Sequence, residues 1–260
     1  MAKLIGNLLS GSLGPYVFKI VNGKQVVTQK PSAGTIKHSS GTKLATKVFA
    51  NAATLGAAVR KSLITPSAGL MGPAANAITA NLCKALNSSL DKQSGKFYFG
   101  EDSFAVLDGL EFNSKSKVIS FLPKLPVISL NRNLLSISQP KMDILKKFKF
   151  PPNAIKCEFT FALSLFRLHD GYMVEGAETQ TVVAFINEGV LGPFEVNFYV
   201  PPGCLCLVSL FLDYYTADKS GWILLKDKIF SPGCFCGSIV TDGKYRDSDN
   251  RVWKKCIKFK

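Results

Sequence analysis

Two cysteine doublets are the residues whose types and spacing best suit a chemical role. They lie in the matching segments Pro202-Gly203-Cys204-Leu205-Cys206 and Pro232-Gly233-Cys234-Phe235-Cys236. Alternate side chains of a strand point to one face, so each doublet would present two thiols together, and four thiolates from neighbouring strands can hold zinc. Structural zinc sites, however, usually take their cysteines from tight turns, whereas these alternate with Leu and Phe inside apolar runs. The pattern favours buried thiols over a zinc site, and we expect neither metal nor cofactor.

Residue types that commonly perform catalysis are sparse. His38 falls in a loop, and His169 stands at a strand end followed by a turn. The sequence contains no Gly-x-Ser-x-Gly elbow, phosphate-binding loop or dinucleotide fingerprint. The segment TDGKYRDSDN (242–250 with the preceding Thr) offers oxygen ligands for calcium, but its spacing does not fit an EF-hand and basic residues lie among its acids. A polar hairpin loop is favoured there. We predict no catalytic residues and a protein that is not an enzyme.

Charge is distributed unevenly along the chain. The first ninety residues hold ten of the 32 lysines and arginines and none of the 18 acidic residues. Such a cationic segment needs an anionic partner, which can be nucleic acid, an anionic surface or another protein subunit. The predicted contact residues are Lys19, Lys24, Lys30, Lys37, Lys43, Lys47, Arg60 and Lys61.

Residues 1–40 are predicted to form a basic arm built on a hairpin. The alternating run from Tyr16 to Ile20 is followed by Asn22-Gly23, a dipeptide that favours a type I′ turn, and by a second strand before Pro31. The arm's glycines suggest flexibility. Tyr16 and Phe18 would share one strand face.

Residues 41–91 are predicted to form two helices. Ser39 or Ser40 would cap the first, over about 42–62, whose apolar stripe runs from Leu44 through Val59 to Leu63. The second would begin near Pro73 and bury Ile78, Leu82, Ala85, Leu86 and Leu90.

After Asp91 the composition becomes typical of strands, with short apolar runs separated by Gly, Pro, Asn and Asp. The predicted strands are 96–99, 104–107, 117–121, 125–130, 134–138, 155–168, 180–187, 193–200, 204–215, 222–230, 234–241 and 251–259. Pro151-Pro152 would divide a first β lobe, 92–150, from a second β-sandwich lobe, 151–260. The predicted fold is therefore α+β and predominantly β: an N-terminal hairpin and two helices followed by antiparallel sandwich packing.

The length, apolar content and seven cysteines fit a folded protein with free thiols in a reducing compartment. No apolar run reaches the roughly 20 residues that a membrane helix requires. The first residues do not form a signal-peptide hydrophobic region, because Gly6, Asn7 and Ser10 interrupt it. We therefore expect a cytoplasmic protein without a transmembrane segment.

The opening MAKLIGNLLSGSLGPYVFKIVNGKQVVTQKPS and the following SGTKLATKVFANAATLGAAVRKSL resemble an uncharacterised Bacteroidota family of unknown function. The resemblance rests on Gly14, Gly23, Lys24, Pro31, Phe49 and Arg60. It extends diffusely to LDGLEFN (107–113) and FPPNAIKCEF (150–159). It departs at Gln29-Lys30, where the family would have an arginine, and the cysteine doublets are outside its pattern. The resemblance implies a β-rich, non-catalytic protein of Bacteroidota or of an associated phage, where it would be a virion component.

Two functions are compatible with these features. The first is a non-enzymatic structural or interaction protein that self-associates, as a homo-oligomer or with other protein subunits, through its basic N-terminal region. The second is a sequence-independent nucleic-acid-binding protein that uses the same lysines, with phosphate-dominated and salt-sensitive binding.

Overall fold

The computed structural model describes residues 2–32, 39–63, 74–219, 221–225, 230–246 and 250–257. The chain divides into two compact units, Met1–Ala45 and Thr46–Lys260. The fold is predominantly β, and helices follow the N-terminal hairpin strands, which confirms the predicted fold class. None of the helices in the described ranges is long and apolar enough to cross a membrane.

The helices of the described residues are α1 (Ser40–Ser62), α2 (Ala74–Ser88), α3 (Val118–Phe121) and α4 (Ile144–Lys147). The strands are β1 (Lys3–Ile5), β2 (Leu8–Leu13), β3 (Tyr16–Val21), β4 (Lys24–Gln29), β5 (Val127–Asn131), β6 (Leu134–Gln139), β7 (Met142–Asp143), β8 (Lys156–Arg167), β9 (Tyr172–Val174), β10 (Glu178–Phe185), β11 (Val190–Leu191), β12 (Phe194–Tyr199), β13 (Leu205–Asp218), β14 (Gly221–Leu224), β15 (Gly233–Val240) and β16 (Trp253–Lys255).

The first unit is an antiparallel sheet in which β1 to β4 follow one another in order. The predicted hairpin is present as β3 and β4. Its turn residues Asn22 and Gly23 have φ angles of 52° and 75°, as a type I′ turn requires. The sequence predicts only this hairpin within the basic arm, whereas the structure adds two further strands, β1 and β2. Their turn contains Gly6 at φ 59°, where a residue without Cβ is favoured.

Helices α1 and α2 form where the apolar stripes predict them. Ser39 caps α1, since its Oγ accepts a hydrogen bond from the Thr42 N–H at 3.2 Å. In the second unit, the stripe residues Val48 to Leu63 are buried. The predicted stripe of α2 is buried throughout as well. Pro73, the predicted start of α2, lies outside the described residues.

The ladder between β8 and β13 forms the centre of the second unit. Eleven residues pair antiparallel, from Leu205 with Phe166 to Tyr215 with Lys156. On the side away from β8, strand β13 pairs with β15 and β14. On the side away from β13, strand β8 pairs with β10 and β9. Residues Leu205 to Tyr214 are all buried, so β13 is covered on both of its faces.

Two different layers cover this central sheet. Its Phe161 and Leu210 belong to a hydrophobic core that also contains Ile137 and Phe198 of the three-stranded sheet β12-β6-β5. On the opposite face, Ser164 of β8 accepts a hydrogen bond from Ser62 of α1 at 2.8 Å. The second unit is thus a β-sandwich with helices on its outer sheet face.

Several predicted strands have other structures. Residues 105–107 form a 3-10 turn and 118–121 the short helix α3. Both runs are apolar but too short for periodicity to separate a strand from a buried helical turn. The predicted strand 96–99 is reduced to an isolated bridge between Phe97 and Leu90.

Pro151 and Pro152 do not separate two cores. Phe148 precedes them and Phe159 follows them, yet their ring centroids are 5.1 Å apart in one core. The sheet β12-β6-β5 also pairs strands from both sides of the prolines. The two prolines predict a boundary because neither can continue a strand ladder. The second unit is nevertheless a single compact unit, because strands far apart in sequence pair across this point.

Gly171 provides a test of how β16 is held in place. Its carbonyl accepts hydrogen bonds from the N–H groups of Cys256 and Ile257 at 2.9 and 3.2 Å, and its φ is 78°. A Cβ at this position would overlap the Ile257 carbonyl. Gly109 has nearly the same φ, 76°, but open space around it.

Gly171→Ala should destabilise the protein by about 2–4 kcal/mol and Gly109→Ala by about 1 kcal/mol, measured by urea unfolding. Equal losses would contradict the close packing of Ile257.

Candidate assembly surface

The sheet β1 to β4 has no hydrophobic core of its own. Every described residue of the first unit is exposed or half-buried, and none is buried. Several of its apolar side chains are strongly exposed: Leu4 is 70% accessible, Leu13 59%, Tyr16 50% and Val27 50%. In the second unit the side chains of β8 and β13 are instead almost completely enclosed. Apolar residues in a regular sheet without a covering layer mark an interaction surface.

The two faces of the β3–β4 hairpin differ in chemistry. Paired residues of a ladder share a face and successive residues alternate, so the register assigns each side chain. The uncharged face carries Tyr16, Phe18, Ile20, Gln25, Val27 and Gln29. The lysine face carries Val17, Lys19, Val21, Lys24, Val26 and Thr28. Both charged residues of the hairpin therefore lie on one face, and the opposite face is aromatic and aliphatic. The predicted pairing of Tyr16 and Phe18 on one face agrees with this register.

Gln25 joins the two hairpins of the first unit. Its side-chain amide accepts a hydrogen bond from the Leu9 N–H at 2.7 Å and donates one to the Leu9 carbonyl at 2.9 Å. The ladder between β2 and β3 ends at Gly11 opposite Phe18, so this amide continues the strand contact beyond the backbone ladder. The hydrogen bonds of this side chain thus hold the two hairpins together, as contacts between buried apolar residues do in the second unit.

The residues predicted to contact a partner lie in both units and differ in their exposure and hydrogen bonds. Lys19, Lys24, Lys30 and Lys43 belong to the first unit and are all exposed. Lys37 lies outside the described residues. These lysines carry the positive charge of a unit that contains no acidic residue.

The three contact residues predicted in the second unit are not equivalent. Lys47 is half-buried, because its Nζ donates to the Gly95 carbonyl at 3.0 Å and lies 5.8 Å from the Phe97 ring centre. Arg60 is half-buried, and its Nη1 has no hydrogen-bond partner among the described residues. Only Lys61 is exposed, at a cleft of about 360 Å³ that also contains Lys254 and Lys255. Lys47 is therefore part of the packing, which lysine spacing alone does not reveal.

The cysteine doublets lie on neighbouring strands but at different rungs. Since β13 and β15 are antiparallel, Cys206 pairs with Ile239 while Cys234 pairs with Leu210. All four side chains are buried, and none of them forms a disulfide bond among the described residues. Burial raises the pKa of Cys206, Cys234 and Cys236, so these thiols hold their protons at neutral pH. No group of three or more potential metal ligands occurs within the described ranges.

The remaining chemical candidates do not assemble into a site. His169 is exposed, with its ring centre 6.2 Å from that of Phe99. His38 lies outside the described residues, as do Asp247 and Asp249 of the predicted calcium loop. Cys256 lines the cleft beside Lys61, and burial raises its pKa to about 11.

A cluster that the sequence did not reveal surrounds Arg167. Its guanidinium carbon lies 4.9, 3.8 and 5.3 Å from the ring centres of Tyr172, Tyr245 and Trp253, and it pairs with Asp170. Three rings from separate segments surround one cation, so these contacts help to hold β16 against β8 and β9. No spacing in the sequence brings these residues together.

Comparison of the chain with family models, with curated proteins and with solved structures finds no match.

Thiol labelling tests the assignment of the cysteines. At pH 7.5 a maleimide should label the native protein at Cys83 and Cys256, which are half-buried, and leave the four doublet thiols intact. Labelling of Cys256 should accelerate about tenfold per pH unit from pH 6.5 to 7.5, because a thiol whose pKa is raised to about 11 is still almost fully protonated in that range. Mass spectrometry of peptides reads the result, with urea-unfolded protein as the control that labels all seven. Rapid native labelling of Cys206 or Cys234 would contradict the buried geometry.

Proposed function

We propose that this protein is a non-enzymatic assembly protein that self-associates through its N-terminal sheet. One observation carries the proposal: the first unit contains a regular four-stranded sheet with exposed apolar side chains and no buried residue among those described. The second unit, by contrast, has an extensive core. The N-terminal sheet thus has the composition of an interface.

The energetics of a small sheet support this function. Fully burying one aliphatic or aromatic side chain contributes about 1.5–3 kcal/mol. An isolated hairpin is marginally stable in water, and small sheets need a covered apolar face. Contact with another copy would cover Leu4, Leu13, Tyr16 and Val27 and would stabilise the sheet and the assembly together.

The uncharged face of the β3–β4 hairpin allows a second copy to bind although the protein is strongly cationic. The chain has a net charge of +14, so two copies repel each other at long range. The uncharged face of the β3–β4 hairpin allows two copies to approach without opposing lysines, because Lys19 and Lys24 point to the other face. Association should therefore strengthen at higher salt, where the remaining repulsion is screened.

Removal of the sheet tests the proposal. The full chain should form oligomers whose mass rises with concentration, and a chain lacking residues 1–30 should remain monomeric in sedimentation velocity. The shortened chain retains Ser39 and all of α1, so the second unit should unfold at an unchanged urea midpoint. A full chain that stays monomeric at every accessible concentration would overturn the proposal.

Point substitutions distinguish a specific contact through the N-terminal sheet from nonspecific association through any exposed apolar side chain. Leu13→Ser and Val27→Ser should each weaken association by about tenfold or more, since each loses over 1 kcal/mol of apolar burial. Leu145→Ser and Val127→Ser are matched controls, because both side chains are exposed but lie in the second unit. Equal weakening by both pairs would place the interface outside the N-terminal sheet.

Nucleic-acid binding is the second candidate function, favoured by the lysine face and by the absence of acidic residues from the first unit. Fluorescence anisotropy with single- and double-stranded DNA and RNA, at about 50 and 200 mM salt, tests it. A phosphate-dominated binder would show a steep loss of affinity with salt. Absence of binding at low salt would eliminate this candidate and leave self-association unaffected.

A further inference from the structure

The outer edge of β4 is an exposed template for strand pairing. Among the described residues, β4 pairs with β3 alone. Its six residues, Lys24 to Gln29, contain no proline and only one lysine, and five of them are exposed. Natural proteins usually shorten, charge or cover such an edge to prevent association. The other edge strand of this sheet, β1, has only three residues.

The second unit shows how an edge is protected in the same chain. The outer edge of β15 is occupied by the segment 109–112. Gly109 donates to the Phe235 carbonyl at 2.8 Å, Phe112 to the Gly233 carbonyl at 2.7 Å, and Phe235 to the Leu110 carbonyl at 3.0 Å. No comparable segment lies along β4 among the described residues of the first unit.

The hairpin geometry determines which backbone groups of β4 face outward. In a two-residue hairpin the pair that flanks the turn, Val21 and Lys24, exchanges backbone hydrogen bonds, and every second pair does the same. The Lys30 N–H donates to the Pro15 carbonyl at 2.6 Å, as expected if every second pair, counted from Val21 and Lys24, exchanges backbone hydrogen bonds. The N–H and C=O groups of Gln25, Val27 and Gln29 therefore point away from β3.

We propose that β4 pairs antiparallel with β4 of a second copy, around a two-fold axis at Val26. This inference rests on the proposed self-association and names its geometry. Gln25 of each copy would exchange backbone hydrogen bonds with Val27 of the other. The two β-sheets would join into one continuous eight-stranded sheet, and its combined uncharged face would be covered by the face-to-face contact with a further copy on which the proposed self-association rests.

The register follows from the side chains. Centred on Val26, it places Lys24 opposite Thr28 of the other copy and Val26 opposite Val26. A shift by one residue to an axis at Val27 would place Lys24 opposite Lys30, and like charges in direct opposition destabilise a ladder. A two-fold contact of this kind closes on itself, because the same residues serve both copies.

Three substitutions in the full chain test the edge pairing. Val27→Pro removes an outward N–H while leaving the β3–β4 bonds intact and retaining apolar volume. Val27→Ala keeps the N–H but removes more apolar volume. Edge pairing predicts that proline weakens dimerisation at least tenfold more than alanine, measured by sedimentation equilibrium. Val26→Pro is the folding control, because it removes an N–H that bonds to β3 and should disrupt the hairpin's circular dichroism signal.

Cross-linking tests the axis independently. Residues opposite each other in a non-hydrogen-bonded pair have Cα atoms about 4.5 Å apart, a separation that a disulfide can bridge. Val26→Cys should therefore form a covalent dimer under mild oxidation, whereas Thr28→Cys, whose two copies would lie far apart, should not. Oxidised wild-type protein serves as the blank for the native cysteines.

The outcomes separate the two proposals. If deletion of residues 1–30 abolishes association while Val27→Pro binds as tightly as Val27→Ala, the edge pairing is overturned and self-association stands. If Thr28→Cys cross-links and Val26→Cys does not, the register is overturned. A wild-type chain that never associates overturns both.

Discussion

The ladder between β8 and β13 is the contact on which the second unit depends. Its eleven pairs join segments far apart in sequence, and both of its faces are covered. The three-stranded sheet encloses one face, and α1 contacts the other through Ser62. Where the pair is buried on both sides, over residues 161–166 of β8 and 205–212 of β13, its strands are apolar runs interrupted only by Ser164 and Ser209.

The N-terminal sheet has the opposite balance. Its strands satisfy one another's backbone groups, yet nothing described in the chain encloses their apolar side chains. Gln25 supplies cohesion through hydrogen bonds, which contribute modest net stability compared with burial. The same chain thus contains one unit with an extensive hydrophobic core and one in which none of the described residues is buried.

Local chemistry made part of this structure predictable. Asn22-Gly23 predicted the β3–β4 turn, Ser39 predicted the start of α1, and the apolar stripes predicted which helix faces are buried. These features depend on a few neighbouring residues. The lysine pattern predicts a contact through the charged side chains, whereas the proposed self-association uses the uncharged face of the β3–β4 hairpin. Strands β1 and β2 are not predicted, because glycines interrupt their apolar runs. A turn at Gly6-Asn7 before the run from Leu8 was the available signal.

Long-range pairing could not be predicted from local pattern. The prolines at 151 and 152 indicated a boundary, but Phe148 and Phe159 pack together across them. The aromatic rings around Arg167 and the different rungs of the two cysteine doublets also result from strand register. Register depends on the hydrophobic pattern and turns of the whole sheet, so the residues of a single strand do not reveal it.

Hydrogen exchange of the β4 amides at two protein concentrations tests the central claim most directly. The N–H groups of Val26 and Thr28, which face β3, should be protected at both concentrations. Those of Gln25 and Val27 should exchange rapidly in dilute protein and slow by tenfold or more when the protein is concentrated. If Gln25 and Val27 exchange at the same rate throughout, the N-terminal sheet does not pair with a second copy, and the account is contradicted.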